Sequence, residues 1–316
     1  KTPRMGVSTR NEGQGGFGGA RKFATDLCVG GAAAVISKTA VAPMERVKLL
    51  LQVQHTYAGI ASDRRYKGIG DALYRVHREQ GILSFWRGNA TNVLRYFPTQ
   101  SLNFAFNDLF KGYLVGKSER HSFSYMGRSL LAGGLAGSTT MCFVYPLDVI
   151  RTRLSVDVGK TTEQREYRGI IDCARKTIAN DGVRGLYRGF AISIQTYFVY
   201  RATYFGVYDS LRGLYERGSG AGEQRKLNFF GSFLLAECVT VLASYLTYPF
   251  DTVRRRMMVK GELVRMSSLQ ALKRVVSTEG VLGLYKGAFA NILRSTGSAL
   301  VMALYHEIQY FLKQNK

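Results

Sequence analysis

The sequence predicts an all-α membrane protein: six transmembrane helices in three pseudo-threefold repeats, each completed by one short surface helix. Three observations carry this reading. A proline, an acid and a base recur as Pro43-x-Glu45-x-x-Lys48, Pro146-x-Asp148-x-x-Arg151 and Pro249-x-Asp251-x-x-Arg254, with 103 residues from each proline to the next. One structural unit is therefore used three times. Long apolar stretches carry isolated charges, and the mean hydropathy is only −0.08. Charges inside membrane spans face a bundle interior or a wet cavity, so a polar-lined transporter gives this intermediate value. Aromatic-basic-glycine turns also recur, at Tyr66-Lys67-Gly68, Trp86-Arg87-Gly88, Tyr167-Arg168-Gly169, Tyr187-Arg188-Gly189 and Tyr285-Lys286-Gly287.

In chain order, residues 1–20 are rich in Gly, Ser, Arg and Asn and read as a flexible N-terminal arm. The glycine run at 13–19 has no preceding strand and no following Gly-Lys-Ser/Thr, so it reads as linker and not as a phosphate loop. Repeat 1 spans 21–118. A long helix from Phe23 to Lys48 carries the small-residue run Gly30-Gly31-Ala32-Ala33-Ala34, which allows close helix packing. Pro43 removes a hydrogen bond and bends it. A short amphipathic helix, Asp71 to Gln80, follows, and then a second long helix from Asn89 to Leu114. Repeat 2, 119–222, runs in the same order, with Gly133-Gly134-x-x-Gly137 in its first helix and a short helix starting near Asp172. Repeat 3, 223–316, has a long helix from Asn228 to Met258, a short one from Ser268 to Thr278, and a last long helix after Gly287. Here Val264-Arg265-Met266 stands where the turn before the short helix should be. Basic residues along the short helices suit a membrane surface.

The 316 residues carry a net charge of +22. That excess points to polyanions: nucleic acid, anionic lipid or a phosphate-rich solute. Cys28, Cys142, Cys173 and Cys238 have no metal-ligand spacing and read as small buried residues. No metal site, nucleophile-base pair or secretory signal is visible, so covalent catalysis is not expected.

Glu45, Asp148, Asp251, Lys48, Arg151 and Arg254 would each cost about 2.5–3.5 kcal/mol facing lipid. A shared axis removes that cost if each acid meets the base of another repeat, giving the pairs Glu45–Arg151, Asp148–Arg254 and Asp251–Lys48. Buried pairs add little net stability, which suits a gate that must also open. The plainer alternative is three intrahelical i,i+3 pairs, each contributing about 0.2–0.5 kcal/mol; it gives no reason for a proline at the same offset three times. Near the end of the second long helix of each repeat, Asp108/Lys111 and Asp209/Arg212 repeat an acid-base spacing, and the third copy has His306 and Gln309. That second ring has two links by pattern where the first has three. Between the rings stand isolated cations, Lys38, Arg95, Arg201 and Arg294, which call for an anion; phosphate suits planar arginine donors. Tyr197, Phe198, Tyr200 and Tyr204 offer aromatic surface to a base.

The three Pro-x-acid-x-x-base elements resemble the mitochondrial carrier family from residue 23 onward. Within it, Arg254-Arg255-Arg256-Met257-Met258-Val259 is similar to the arginine-methionine motif of the ADP/ATP carriers. Ser37-Lys38-Thr39-Ala40-Val41-Ala42-Pro43 and Arg95-Tyr96-Phe97-Pro98-Thr99-Gln100 are similar to the same subfamily. The resemblance implies an antiporter, not an enzyme, that exchanges ADP for ATP by alternating access across the mitochondrial inner membrane. It implies substrate binding by Lys38, Arg95, Tyr200, Arg254, Arg255 and Arg294. The Pro-acid-base ring becomes the matrix gate, braced by Gln52; Asp108, Lys111, Asp209, Arg212, His306 and Gln309 become the cytoplasmic gate; and the short helices lie on the matrix side. It also implies structural cardiolipin at Gly68, Gly88, Gly169, Gly189 and Gly287, where free helix amides bind phosphate, with no other cofactor and a monomeric chain. The third lipid site should be weakest, because its turn is lost. Four departures from the subfamily, at five positions, stand out: Val259 for Met, Thr196-Tyr197 for Gly-Ile beside the adenine, Asn107 for Lys and His306 for Asp.

The residues alone reach a polyanion transporter with two charged gates. Other readings stay open at this stage: a carrier of coenzyme A species or of ATP-Mg and phosphate, a proton-leak carrier, or a soluble basic helical-repeat protein that binds nucleic acid. A nucleotide panel separates the carriers. Extraction by salt without detergent would identify the soluble protein.

Overall fold

The computed structural model describes residues 16–58, 60–115, 123–157, 165–217 and 229–314. Six long helices dominate: α1 (Gly16–Val53), α3 (Asn89–Leu114), α4 (Phe123–Val156), α6 (Phe190–Arg217), α7 (Phe229–Met258) and α9 (Ala288–Gln314). Even the shortest, 26 residues, reaches about 39 Å at 1.5 Å per residue, beyond the roughly 30 Å of a bilayer core. Three short helices, α2 (Ile69–Gln80), α5 (Ile170–Asp181) and α8 (Ser268–Glu279), have 12 residues each. They begin at or within two residues of the positions the sequence suggests.

The long helices close into a ring. Within repeats, α1 meets α3, α4 meets α6 and α7 meets α9; between repeats, α3 meets α4, α6 meets α7 and α9 returns to α1. Glycines let the helices approach: a Cβ at Gly31 of α1 would lie 2.7 Å from a ring carbon of Phe97 on α3. The short helices bury one face each, at Ala72 and Val76, Cys173 and Thr177, and Ala271 and Val275. That i,i+4 spacing is one stripe of an amphipathic helix. The core sits at this end, around Val47, Leu50, Val53 and Tyr66 in repeat 1 and Val253, Met257 and Val275 in repeat 3.

On the long helices, Leu94, Phe104, Leu131, Phe143, Leu234, Leu242 and Leu293 are exposed. Apolar side chains all around a bundle want an apolar solvent. Among the described residues one helix, Gly127–Val156, is long and apolar enough by composition alone to cross a membrane.

Two expectations need correction. The arm was expected to run through residue 20, but α1 already begins at Gly16. A preformed helix needs no new nucleation to extend, although each glycine in the segment costs about 1 kcal/mol relative to alanine. Residues 1–15 lie outside the described residues. Cysteine burial holds for Cys173 only; Cys142 and Cys238 are exposed. Cys238 shares an outward stripe with Leu234 and Leu242, and such a face needs only to be apolar. The side chain of Cys28 lies outside the described residues.

Candidate functional site

The prolines lie inside α1, α4 and α7, at Pro43, Pro146 and Pro249, and the residues after them converge on the bundle axis. All three inter-repeat ion pairs are present. Arg151 meets Glu45, Arg254 meets Asp148, and Lys48 Nζ lies 2.9 Å from Asp251 Oδ2. Gln52 Nε2 donates to Asp251 Oδ2 (3.3 Å) and to Thr252 Oγ1 (3.0 Å), tying α1 to α7 just beyond the ring.

The corners are not equivalent. Glu45 also accepts from Asn92 Nδ2 at 3.1 Å. Asp148, with a side chain only 1% exposed, faces three guanidiniums: Arg254, Arg255 Nη1 at 3.3 Å and Arg95 Nη1 at 3.6 Å. Arg255 bridges two corners, since its Nε lies 3.5 Å from Asp251 Oδ1 and its Nη1 donates to Thr152 Oγ1 at 2.9 Å. Nothing in the triplet spacing signals Asn92 or the sharing of Asp148. Consecutive arginines on a helix that enters a charged ring are the only hint.

Above the ring lies a central cavity of about 360 Å³, lined by Lys38, Lys48, Arg95, Arg151, Arg254, Arg255 and Arg294 against Glu45 and Asp251. The surplus is positive, and low-dielectric walls focus its field. Lys38 lies 5.5 Å from the Tyr96 ring centre. Arg294 is held by Asn291 Oδ1, 3.2 Å from Nη2. Thr196, Tyr197 and Tyr200 form the α6 wall. Tyr200, Tyr204 and Tyr208 stack at 6.2 and 6.0 Å, while the Arg201 guanidinium sits between the rings of Tyr197 and Phe205 at 5.3 and 5.9 Å. Lys38, Arg95, Tyr200, Arg254, Arg255 and Arg294, the substrate-binding residues that the resemblance implies, therefore line one cavity together with Tyr197, whereas Phe198, Arg201 and Tyr204 are not part of its lining. Arg256 belongs elsewhere: fully buried, it bonds Gln52 O (2.9 Å) and Glu279 Oε2 (3.0 Å). Arg46 and Arg153 do the same for the ends of α4 and α7, donating to Ser155 O at 3.1 Å and Met258 O at 2.9 Å. These three arginines cap orphan carbonyls of the next repeat.

The glycines before α3, α6 and α9 have a packing role. Gly88, Gly189 and Gly287 adopt φ of 84°, 76° and 85°, a region that favours glycine. A Cβ there would lie 3.1 Å from Arg151 O, 3.2 Å from Arg254 O and 3.1 Å from Lys48 O, respectively. Each glycine thus lets one repeat rest against the basic corner of the next. The basic residues of these turns lock repeats together. Arg87 Nη2 reaches Asp157 Oδ2 (2.6 Å), Arg188 reaches Val264 O, and Lys286 Nζ reaches His55 Nε2 (2.8 Å) and Glu279 Oε2 (2.9 Å). Burial holds the His55 imidazole down to about 4, so it stays neutral and accepts from Lys286.

Gly68 and Gly169 cap α2 and α5 in extended backbone without side-chain caps. Cavities of about 580 and 600 Å³ lie there, between Gly68 and Gly287 and between Gly169 and Gly88. Val259, Met257 and Met258 are buried packing residues. Asp108 and Lys111 on α3 are exposed, with no ion pair among the described residues; Asn107 is partly buried. The side chains of Asp209, Arg212, His306 and Gln309 lie outside the described residues.

The family model described as mitochondrial carrier protein matches residues 19–118, 123–219 and 225–316. The chain is 48% identical over 294 residues to human ADP/ATP translocase 3, covering 91% of this chain and 97% of that protein. It is 48% identical over 296 residues to Bos taurus ADP/ATP translocase 2, covering 92% and 97%. It is 49% identical over 297 residues to human ADP/ATP translocase 4, covering 92% of each.

Proposed function

The chain belongs to the mitochondrial carrier family, and we propose that it exchanges ADP for ATP, one for one, across the mitochondrial inner membrane as a multi-pass antiporter. The observation that carries this is the central cavity. Its surplus of guanidiniums and ammoniums matches phosphates, its tyrosine wall offers a face to a base, and a ring of three ion pairs closes one end. The described state has that ring shut. A bound polyphosphate competes for Arg95 and Arg255, which both also face Asp148. Withdrawing them weakens the ring, so the substrate itself favours opening; a ligand shifts such an equilibrium only by its differential affinity. Without substrate the ring stays closed, which makes transport an exchange. ATP carries more negative charge than ADP, so the exchange is electrogenic. One chain completes both cavity and ring, and a monomer suffices.

Anionic lipid, with cardiolipin as the occupant, is part of the same reading. Two helix starts with free amides face cavities that also carry Arg87, Arg165 and Arg168, or Lys67 and Lys286. At α8 the chain serves itself instead: Ser267 and Gln270 form a capping box, and the carbonyl of Val264 takes Arg188. The third site is the weakest for that reason.

Liposomes loaded with ADP, ATP, AMP, coenzyme A or phosphate test the substrate. Labelled ADP outside should enter only against internal ADP or ATP. Faster exchange against coenzyme A, or uptake without any internal substrate, overturns the proposal.

A further inference from the structure

We propose that a side pocket in the cavity wall, between α3, α4 and α6, seats the terminal phosphoryl group of the triphosphate and so separates ATP from ADP. This rests on the nucleotide-exchange reading above. The pocket is about 90 Å³ and shares Arg95, Met141, Tyr197 and Arg254 with the central cavity, so a phosphate held at Arg95 is already at its mouth.

Its inner wall includes Asn103 and Thr140. Thr140 is 2% exposed, and its hydroxyl has no hydrogen-bond partner. Thr91 on α3 is also buried with an unpartnered hydroxyl, but it does not line this pocket; other threonines on the long helices behave differently. Thr99, Thr196, Thr240 and Thr247 return their hydroxyls to the carbonyl one turn earlier, at 2.6–2.8 Å. Arg254 Nε is likewise buried and unpartnered, although its Nη2 meets Asp148. The Asn103 amide has no partner among the described residues. Buried polar groups in native proteins are nearly always satisfied, so an orphan hydroxyl beside an orphan guanidinium N–H points to a missing acceptor.

The charge selects what that acceptor is. Asp148 lines the pocket but is faced by three guanidiniums, which leaves a positive surplus and repels a cation. The volume is well below the roughly 300 Å³ where pockets for whole small molecules begin, so a fragment enters and not a nucleotide. A tetrahedral oxyanion fits both limits. A diphosphate stops at Arg95, whereas a triphosphate extends inward to Thr140, Asn103 and Arg254 Nε.

The test is the ratio of ATP to ADP affinity of the detergent-solubilised full chain, measured by calorimetry. Thr140→Val keeps the shape and removes the hydroxyl. The ratio should fall about tenfold, as expected for one hydrogen bond to a charged group, and Thr140→Ser should restore it. Asn103→Leu, on a different helix, should move the ratio the same way and serves if the valine variant does not fold. An unmoved ratio means that the pocket holds water only and overturns the proposal, as does an equal loss of both affinities. Wild type that binds neither nucleotide overturns the exchange reading and the subsite together.

Discussion

The corner of the ring at Asp148 and the corner at Glu45 hold equivalent places in repeats 2 and 1, yet their surroundings differ. Glu45 has one guanidinium and the neutral amide of Asn92. Asp148 has three guanidiniums, from α3 and α7, and almost no exposure. A threefold repeat in sequence has become an asymmetric ring, because Arg95 and Arg255 have no counterparts that reach the other corners in the same way. One corner is a simple pair and the other a shared anion on which cavity and ring both depend.

The largest effect should therefore come from Asp148→Asn. Breaking a buried pair by removing one partner costs about 3–5 kcal/mol, and here several cations lose their acid. Exchange should fall more than tenfold, with a clear drop in thermal stability. Glu45→Gln leaves one guanidinium without its acid where Asp148→Asn leaves three, and Asn92 still bonds the amide, so it should cost less, about 1–2 kcal/mol. Equal losses in the two variants, read by unfolding midpoint and exchange rate, would erase the distinction between the corners.

Arg255→Lys should follow in size. The charge remains, but one ammonium cannot span Asp148, Asp251 and Thr152 as the planar fork does. Exchange should fall severalfold, with less effect than Asp148→Asn. Gln52→Ala removes a donor to Asp251 and Thr252 and should cost about 1 kcal/mol, seen as a lower melting temperature with exchange retained.

The smallest effect concerns His55, beyond the ring. Its imidazole is held at about 4 against an ordinary 6.5, by burial first, with Lys286, Arg65 and Arg256 adding to the shift and Glu279 opposing it. Between those values the unfolded chain binds the proton more readily, so folded stability falls as pH drops through that window. Substituting His55→Gln should flatten that part of the melting-temperature profile. An unchanged slope between pH 6.5 and 4 would remove His55 from the account.

The six long helices, their prolines and the ring partners were legible in the sequence because each rests on a repeated spacing. Charges at matched depth in three repeats have only one way to avoid lipid. What the sequence left hidden has no period. Asn92, the bridging by Arg255 and the sharing of Asp148 depend on which rotamer crosses the axis, not on register. Arg46 does not align with Arg153 and Arg256 in the triplet frame, yet it caps the neighbouring repeat as they do. Outward-facing Cys142 and Cys238 were misread because apolar composition marks a lipid-facing side chain as readily as a buried one.

The asymmetric ring is tested most directly by charge reversal in pairs, read as ADP/ATP exchange in liposomes. Glu45→Arg and Arg151→Glu should each abolish most exchange, and the double variant should recover a substantial part. The same reversal of Asp148 with Arg254 should recover little, since Arg95 and Arg255 still require an acid at that corner. Recovery to the same extent at both corners, or at neither, would contradict a ring built from one simple pair and one shared anion.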